Sequence, residues 1–528
     1  MVESNNHFNT SNESDLGRAI QQQEHNRTWA QTFRKDPKLL FWIGVMLWTL
    51  VVRGFENGAS GAILSVPVFR RDFGIQNSDG RYFISTEWQS ALTGAPNATG
   101  IIGSWAAGWF ADRFGFRPVI LAAAAINIIS IGIEFGSTSL AMFFGGKMLN
   151  YFAIGALLNL CTAYIADVSP LAIRATAIGF CNLSQCIGPF IAAIMINFTA
   201  KWETDMAWKA VVAAQWGFAG VALIGQLFMP EAPSYLIRKG RMEDAQKQLD
   251  RLYSDPADAK AHFFRIRLTL QEAELSNSGS YLDCFRGTNL RRTLVNIMVF
   301  MSEPMSGLGF VGGYGALMYQ MLNISDEKSF QIGIGAQVLS ISGATIAFLL
   351  ADWWGRRPMY IFGCCSLTVL MICMGIAGSI DGTAAVTASV GFYTMFNFVY
   401  NFGVGSTVYA LAGELPTTVL RSKSLAVSIS TSNAVNTMWS FVAPLMFNED
   451  AGNLKAKIGF VFGGIMFVFA VLAYFYVPET RRRTYEELDE LFMNKVPARK
   501  FRKYVTVAER RAAEAYAIQE KGATTAHV

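Results

Sequence analysis

The sequence predicts an all-α membrane protein of twelve transmembrane helices in two six-helix halves, with a cytoplasmic helical linker between them. Three observations predict it: a composition suited to lipid, apolar runs of spanning length, and two loop motifs that recur six helices later. Of 528 residues, 52% are hydrophobic and 16% charged, against roughly 25% charged in an ordinary globular domain. The seven cysteines, Cys161, Cys181, Cys186, Cys284, Cys364, Cys365 and Cys373, lie mostly in apolar stretches. Their spacing fits neither a metal site nor a disulfide framework, so they read as small core residues and no metal is expected.

A helix needs about 20 mainly apolar residues to cross the hydrocarbon core. The N-terminal half, 39–229, holds six such spans at about 39–66, 88–111, 118–137, 141–166, 174–198 and 208–229. Residues 1–38 are polar and rich in Asn, Gln and Glu, which predicts a disordered tail. That tail contains no apolar h-region, so the first span is expected to direct insertion itself. Residues 230–292 are charged, and stretches such as Met242 to Leu252 predict amphipathic surface helices. The C-terminal half, 293–477, holds spans at about 293–320, 329–350, 358–378, 386–412, 422–446 and 458–477. Residues 478–528 form a charged tail, in which Arg499 to Lys521 is a candidate basic helix. It is expected to be solvated, because few aromatic residues line an apolar face.

Lys and Arg in short loops set orientation. Arg34, Lys35 and Lys38, then Arg113 and Arg117, Arg356 and Arg357, Arg421 and Lys423, and Arg481 to Arg483 all fall in even-numbered connections or in the tails. Both termini are therefore expected in the cytoplasm. The loop after span one dissents with Arg70, Arg71 and Arg81, partly offset by Asp72, Asp79 and Glu87.

Between spans two and three stands Gly108-Trp109-Phe110-Ala111-Asp112-Arg113-Phe114-Gly115-Phe116-Arg117-Pro118; between spans eight and nine stands Ala351-Asp352-Trp353-Trp354-Gly355-Arg356-Arg357-Pro358. A second pair follows spans four and ten: Asp167-Val168-Ser169-Pro170-Leu171-Ala172-Ile173-Arg174, and Glu414-Leu415-Pro416-Thr417-Thr418-Val419-Leu420-Arg421. Such duplication marks a transporter built from two repeated halves, with its substrate site at their interface near the bilayer midplane. Charges at these helix ends form a candidate cytoplasmic latch of Asp112, Arg113, Arg117, Asp167, Arg174, Glu231, Asp352, Arg356, Arg357, Glu414, Arg421 and Glu479. Helix dipoles would assist bridges between neighbouring spans. Positive-inside anchoring with Gly and Pro turns would explain one copy, but two pairs at matching positions favour the latch.

Span one contains Val51-Val52-Arg53-Gly54-Phe55-Glu56-Asn57-Gly58. Ionisable residues at membrane depth are costly and are functional candidates by default. Residues three apart share a helix face, so Arg53 and Glu56 can neutralise each other. The alternative is an Arg53 that snorkels toward headgroups and a Glu56 hydrated in a loop.

At these motifs the chain resembles the sugar porter branch of the major facilitator superfamily. Pro230-Glu231-Ala232-Pro233-Ser234-Tyr235-Leu236-Ile237-Arg238-Lys239-Gly240-Arg241 is similar to the family's "PESPRWL…KGR", and Pro478-Glu479-Thr480-Arg481-Arg482-Arg483-Thr484 to its "PETKGRT". The resemblance covers about residues 39–492. Trp88-Gln89, Gln215-Trp216, Arg291-Arg292-Thr293, the Glu414 to Ser424 segment and Ala456-Lys457-Ile458-Gly459-Phe460 lean toward the fungal maltose-permease-like group, which imports α-glucosides with protons.

The resemblance implies a proton-coupling carboxylate at Glu56 and a basic partner in span four at Lys147, with Arg53 nearby. Here Glu replaces the family's usual Asp, and Lys its usual Arg; lysine is a point charge where arginine binds bidentately. A sugar site needs amides, carbonyls and an aromatic face. Its candidates are Asn182 and Gln185 on span five, Glu303, Ser306, Tyr314 and Tyr319 on span seven, Tyr409 on span ten, and Asn433 and Asn436 on span eleven. The family's "QQxSG" is replaced by Glu303-Pro304-Met305-Ser306-Gly307, and its "GPxxW" is lost around Gly403 to Ser406. Four readings of Glu303 stand: a second proton site, a contact to a cationic or hydroxyl-rich substrate, a changed ligand altogether, or a solvated structural residue beside a helix break at Pro304.

The resemblance therefore implies a secondary active transporter in the plasma membrane that imports a sugar, an α-glucoside or a relative of one, with protons by alternating access. Alternatives are an exporter of a small metabolite on the same scaffold, an uncoupled facilitator, and a transporter-like sensor, which the short tail disfavours. No P-loop or catalytic triad is present and the four His residues do not cluster, so an enzyme is not expected. The expected partners are the small-molecule substrate and the lipid bilayer. No cofactor beyond the proton gradient and no nucleic acid is expected, and the protein is expected to be a monomer. Asn323-Ile324-Ser325 is a candidate glycosylation sequon.

Overall fold

Prolines mark where the first helices begin. Pro37 opens α1 (Pro37–Ile63) and Pro67 opens α2 (Pro67–Phe73), positions where a missing N–H costs nothing. The computed structural model describes residues 35–504 and 506, apart from 77–79, 81, 277–279, 323, 418–419, 449–450, 482 and 484. After a small antiparallel pair, Ile75–Gln76 with Tyr82–Phe83, come α3 (Thr86–Phe114), α4 (Phe116–Phe135), α5 (Leu140–Val168), α6 (Leu171–Thr199) and α7 (Met206–Phe228). The linker holds α8 (Pro233–Arg238), α9 (Met242–Leu252) and α10 (Pro256–Ser276). Then follow α11 (Gly287–Met305), α12 (Leu308–Met321), α13 (Asp326–Trp354), α14 (Arg356–Ala377), α15 (Thr383–Tyr400), α16 (Ser406–Glu414), α17 (Arg421–Phe447), α18 (Ile458–Tyr476) and α19 (Tyr485–Met493).

This is the all-α major facilitator fold that the sequence predicts. α1, α3 and α4 each begin two residues before their predicted starts. Among the described residues, nine helices are long and apolar enough to cross a membrane by themselves. The more polar α3 spends its side chains inside the protein, as membrane helices must: Thr99 Oγ donates to Met148 O at 2.9 Å, and Asn97 Nδ2 to Ser440 Oγ at 2.9 Å. Span seven divides into α11 and α12 at Gly307, whose φ is +89°, beside the predicted Pro304 break. Span ten is interrupted by a π-turn at Asn401–Gly405.

The chain packs as two units. One runs to residue 277 and includes Gly309–Ile341 and Asn436–Lys455; the other comprises 278–308, Ser342–Val435 and the residues from Ala456 onward. In the first, α3 lies so close to α5 that a Cβ on Gly103 would strike the Phe152 carbonyl, and one on Gly155 the Gly100 carbonyl. The linker belongs to this unit: Leu236, Leu249 and Leu252 join a buried cluster with Leu39, Ile43, Leu160 and Tyr164. Lys35 Nζ lies 2.5 Å from Asp258, and Tyr253 donates to Val168 O at 3.0 Å. The predicted tail boundary at residue 38 thus falls inside α1, and Lys35 is already bound. Two of the dissenting loop arginines are also engaged, since Arg70 lies 3.8 Å from Asp326 and Arg71 Nη2 donates to Glu203 O at 3.2 Å; Arg81 lies outside the described residues.

Segment 436–448 is laid against α3 in the same unit. Ser90 donates to Phe441 O at 3.1 Å, and Asn448 Nδ2 donates to Thr86 Oγ at 2.9 Å and Gln89 Oε1 at 3.0 Å.

In the second unit the C-terminal segment is folded onto the start of span seven. Arg292, 3% exposed, pairs with Asp489 at 2.6 Å and lies 4.3 Å over the Phe492 ring, while Arg291 donates to Val496 O at 2.9 Å. Leu488, Leu491 and Phe492 of α19 are buried. A 3-10 turn occupies Ala498–Lys503 where the basic helix was expected to start; the rest of that stretch beyond 506, and Asn323, lie outside the described residues.

Candidate functional site

Four helices of the first unit bring polar side chains into one buried cluster. α1 contributes Glu56, α4 Asn127 and Glu134, α5 Lys147 and Asn150, and α7 Gln215; each is at most 2% exposed. Lys147 Nζ donates to Glu56 Oε1 at 2.5 Å and lies 3.0 Å from Glu134 Oε2. Asn150 Nδ2 donates to Glu134 Oε1 at 2.9 Å and to Gln215 Oε1 at 3.4 Å, while its own oxygen accepts from Asn127 Nδ2 at 2.7 Å. Lys147 also lies 5.3 Å from the Phe143 ring centroid, a cation–π contact. An ion removed from water needs both a counter-charge and hydrogen bonds, and this cluster supplies both.

Arg53 and Glu56 do not form the intrahelical pair expected from their spacing. Arg53 Nη1 donates to Gln185 Oε1 of α6, whereas Glu56 turns to Lys147 of α5. Three residues along a helix leave about 60° between two side chains, enough for neighbouring helices to claim one each. Glu134, Asn127 and Asn150 are absent from the sequence-derived candidates. Glu134 had a signal: it is a lone carboxylate in the apolar run Ile131-Gly132-Ile133-Glu134-Phe135, and the cost that singles out Glu56 applies to it equally.

Of the predicted substrate residues, Asn182, Gln185, Tyr314 and Asn436 belong to the first unit, and Glu303, Ser306, Tyr409 and Asn433 to the second. Gln185 is engaged by Arg53. Tyr314 is buried at a kink in α12, and its hydroxyl pairs with Thr93 Oγ at 2.8 Å. Asn182 and Asn436 are half-buried, as are Glu303 and Asn433. The Ser306 hydroxyl donates to Glu303 O at 2.7 Å and so serves the end of α11. Tyr409 is 50% exposed and meets Phe300 edge-on at 5.6 Å. Tyr319 is buried.

The latch motifs bond within each unit, in mirrored form. Glu231 Oε1 accepts from the backbone N–H groups of Phe116 at 2.7 Å and Ala232 at 3.0 Å, and Arg117 Nη2 donates to Leu227 O at 2.5 Å. Likewise Glu479 Oε1 accepts from Arg356 N at 3.2 Å and Thr480 N at 3.1 Å, and Arg357 Nη2 donates to Tyr474 O at 2.8 Å. Each carboxylate thereby caps a helix N-terminus, where free N–H groups and the dipole favour negative charge. Gly115 and Gly355, at φ +102° and +101°, provide the left-handed turn before each helix. Burial pushes the Glu231 carboxyl above its ordinary value, while its backbone donors and Arg117 pull it down.

The other latch bonds are weaker. Asp112 meets Arg238 at 3.2 Å on an exposed surface, Ser234 N donates to Asp167 at 3.4 Å, and Arg356 lies 3.6 Å from Glu414. An exposed ion pair such as Asp112–Arg238 contributes about 0–1 kcal/mol. Arg113 lies over Trp109 and Phe114, at 5.8 and 5.7 Å. The side chains of Arg174, Asp352 and Arg421 lie outside the described residues.

A family model described as "Sugar (and other) transporter" matches residues 42–492. The chain is 29% identical over 510 residues to the general alpha-glucoside permease of Saccharomyces cerevisiae, covering 94% of this chain and 82% of the permease. It is 30% identical over 478 residues to maltose permease MAL31 of the same yeast, covering 88% and 77%. Its fold is similar to that of the proton:xylose symporter XylE from E. coli bound to 6-bromo-6-deoxy-D-glucose, with a TM-score of 0.69 at 20% identity, over 86% of this chain and 99% of that one.

Proposed function

Because the chain belongs to the sugar (and other) transporter family, we propose that it imports a sugar, an α-glucoside or a close relative of one, together with protons, by alternating access in the plasma membrane. Similarity over most of its length to permeases for α-glucosides and maltose supports the substrate class. The observation that carries the coupling is Glu56, 1% exposed and 2.5 Å from the Lys147 ammonium. Burial favours the neutral carboxylic acid and the ammonium favours the carboxylate. A change in either contact between access states changes proton affinity, which is what symport requires. Arg53, drawn to Gln185 on α6, leaves that exchange to Lys147.

Both termini belong in the cytoplasm on the loop charges, and the protein acts as a monomer. The Glu231 and Glu479 networks then lie at the cytoplasmic helix ends and hold the latch loops in shape. Asn182, Gln185, Tyr314, Asn436, Glu303, Ser306, Tyr409 and Asn433 remain the candidates for the sugar hydroxyls and ring.

Uptake of labelled maltose and glucose into transport-deficient cells, with and without an uncoupler, tests the assignment. Wild type accumulates sugar and loses accumulation with the uncoupler. Glu56→Gln abolishes accumulation yet still exchanges sugar between equal pools. Accumulation by Glu56→Gln at the wild-type level would remove Glu56 from coupling.

Export of a small metabolite is the second reading, and Glu303 favours it, since a half-buried carboxylate stands where the resembling family carries an amide. On that reading, Glu303→Gln changes which of maltose, glucose and cationic metabolites compete for transport. An unaltered competition profile makes Glu303 structural.

A further inference from the structure

Lys147 is shared between two carboxylates. Its ammonium lies 2.5 Å from Glu56 and 3.0 Å from Glu134, and none of the three side chains is more than 1% exposed. The approach is built into the backbone: a Cβ on Gly146 would come within 2.8 Å of Glu134 Cγ, so a side chain there would push α4 away from α5. The nearest other groups are the neutral amides of Asn127, Asn150 and Gln215. From the surrounding elements, α1 presents Arg53, bound to Gln185 of α6; α5 presents Tyr151, beside Ser60; and α7 presents Lys209, paired with Asp205 at 2.7 Å.

Charge decides what such a cluster can do. Two carboxylates and one ammonium leave a net charge of −1, and one added proton brings it to zero. A lone Glu–Lys pair behaves oppositely: it is neutral without a proton and positive with one, the costly state away from water.

Resting on the coupling role proposed for Glu56, we infer that Glu134 is the second carboxylate of the coupling site: by sharing Lys147, it makes the proton-bound cluster the neutral one. Glu134 is held from two sides, by Asn150 on Oε1 and Lys147 on Oε2, whereas on Glu56 Lys147 meets Oε1 and Oε2 is left open to a proton. Glu56 therefore takes the proton. Water delivers it, an O–H bond forms on the Glu56 carboxyl, and Lys147 keeps its pairing to Glu134; release reverses the step. No cation is left uncompensated at any point. Glu134 is thus a positioning residue that acts through Lys147.

Infrared pH titration of the purified full-length protein reads the carboxylic acid directly and needs no substrate; sugar accumulation in cells reads coupling. In Glu134→Gln the Glu56 band is expected to titrate about one pH unit or more lower than in wild type, and accumulation to fall at least about tenfold. Glu134→Asp, with its carboxylate drawn back by one methylene, shifts the band in the same direction by less, and decides the matter if Glu134→Gln does not fold. An unshifted band in these variants, with the band abolished in Glu56→Gln, overturns the inference and leaves Glu56 as the proton carrier. A band that survives in Glu56→Gln overturns the coupling role of Glu56 and this inference together.

Discussion

Replacing Lys147 by methionine is expected to destabilise the protein by about 3–5 kcal/mol, the usual cost of removing one partner from a buried ion pair. Methionine nearly matches the volume, so the loss would be electrostatic: Glu56 and Glu134, 1% and 0% exposed, would face each other without the cation between them. Thermal melting of the purified protein measures it, with coupled uptake as the second readout. The deficit should be smallest in acid, where protons from solvent can neutralise both carboxylates. A variant that melts like wild type at neutral pH would mean that the cluster is not held together by charge.

Gly155→Leu is expected to be about as damaging, at about 3 kcal/mol or more, the upper range for overpacking. The added side chain would start on the Gly100 backbone carbonyl of α3, and backbone cannot rotate away as a side chain can. The checks are the yield of monodisperse protein and its melting temperature. Gly391→Leu serves as the control, since nothing lies within 4 Å of a Cβ built there. Equal behaviour of the two variants would show that α3 and α5 can separate freely.

The fold was legible wherever the signal is one-dimensional. Apolar length marked the spans, because lipid admits only helices that satisfy their own backbone. The Gly-x-Arg-Pro loops and the Pro-Glu dipeptides marked repeated turns, and Glu231 and Glu479 cap helices in the same way in both units. Breaks at Gly307 and Asn401–Gly405 were less legible, because each depends on local backbone geometry within a long apolar run. Helix α19 was missed for another reason. Its charged sequence reads as a tail until Arg292 supplies the partner for Asp489 and Phe492.

The candidate site was half legible. Rare intramembrane charge pointed to Glu56 and Arg53, and resemblance to Lys147. Spacing along one helix says which residues share a face but not which neighbouring helix meets that face. Hence Arg53 was matched with Glu56 when α6 holds its partner, and Glu134 was passed over although α5 brings Lys147 to it.

The placement of segment 436–448 on α3 has a consequence for biosynthesis. Thr86, Gln89, Ser90, Thr93 and Asn97 face hydrogen-bond partners 343 to 362 residues further along the chain. At about 5–20 residues per second, the ribosome reaches those partners roughly 20–70 s after it has made α3. Through that interval a polar helix sits in the membrane with one face unfinished. Early quality control at the insertion site would therefore encounter α3 in its most vulnerable form, and a stalled or truncated chain ending before residue 436 would never leave it.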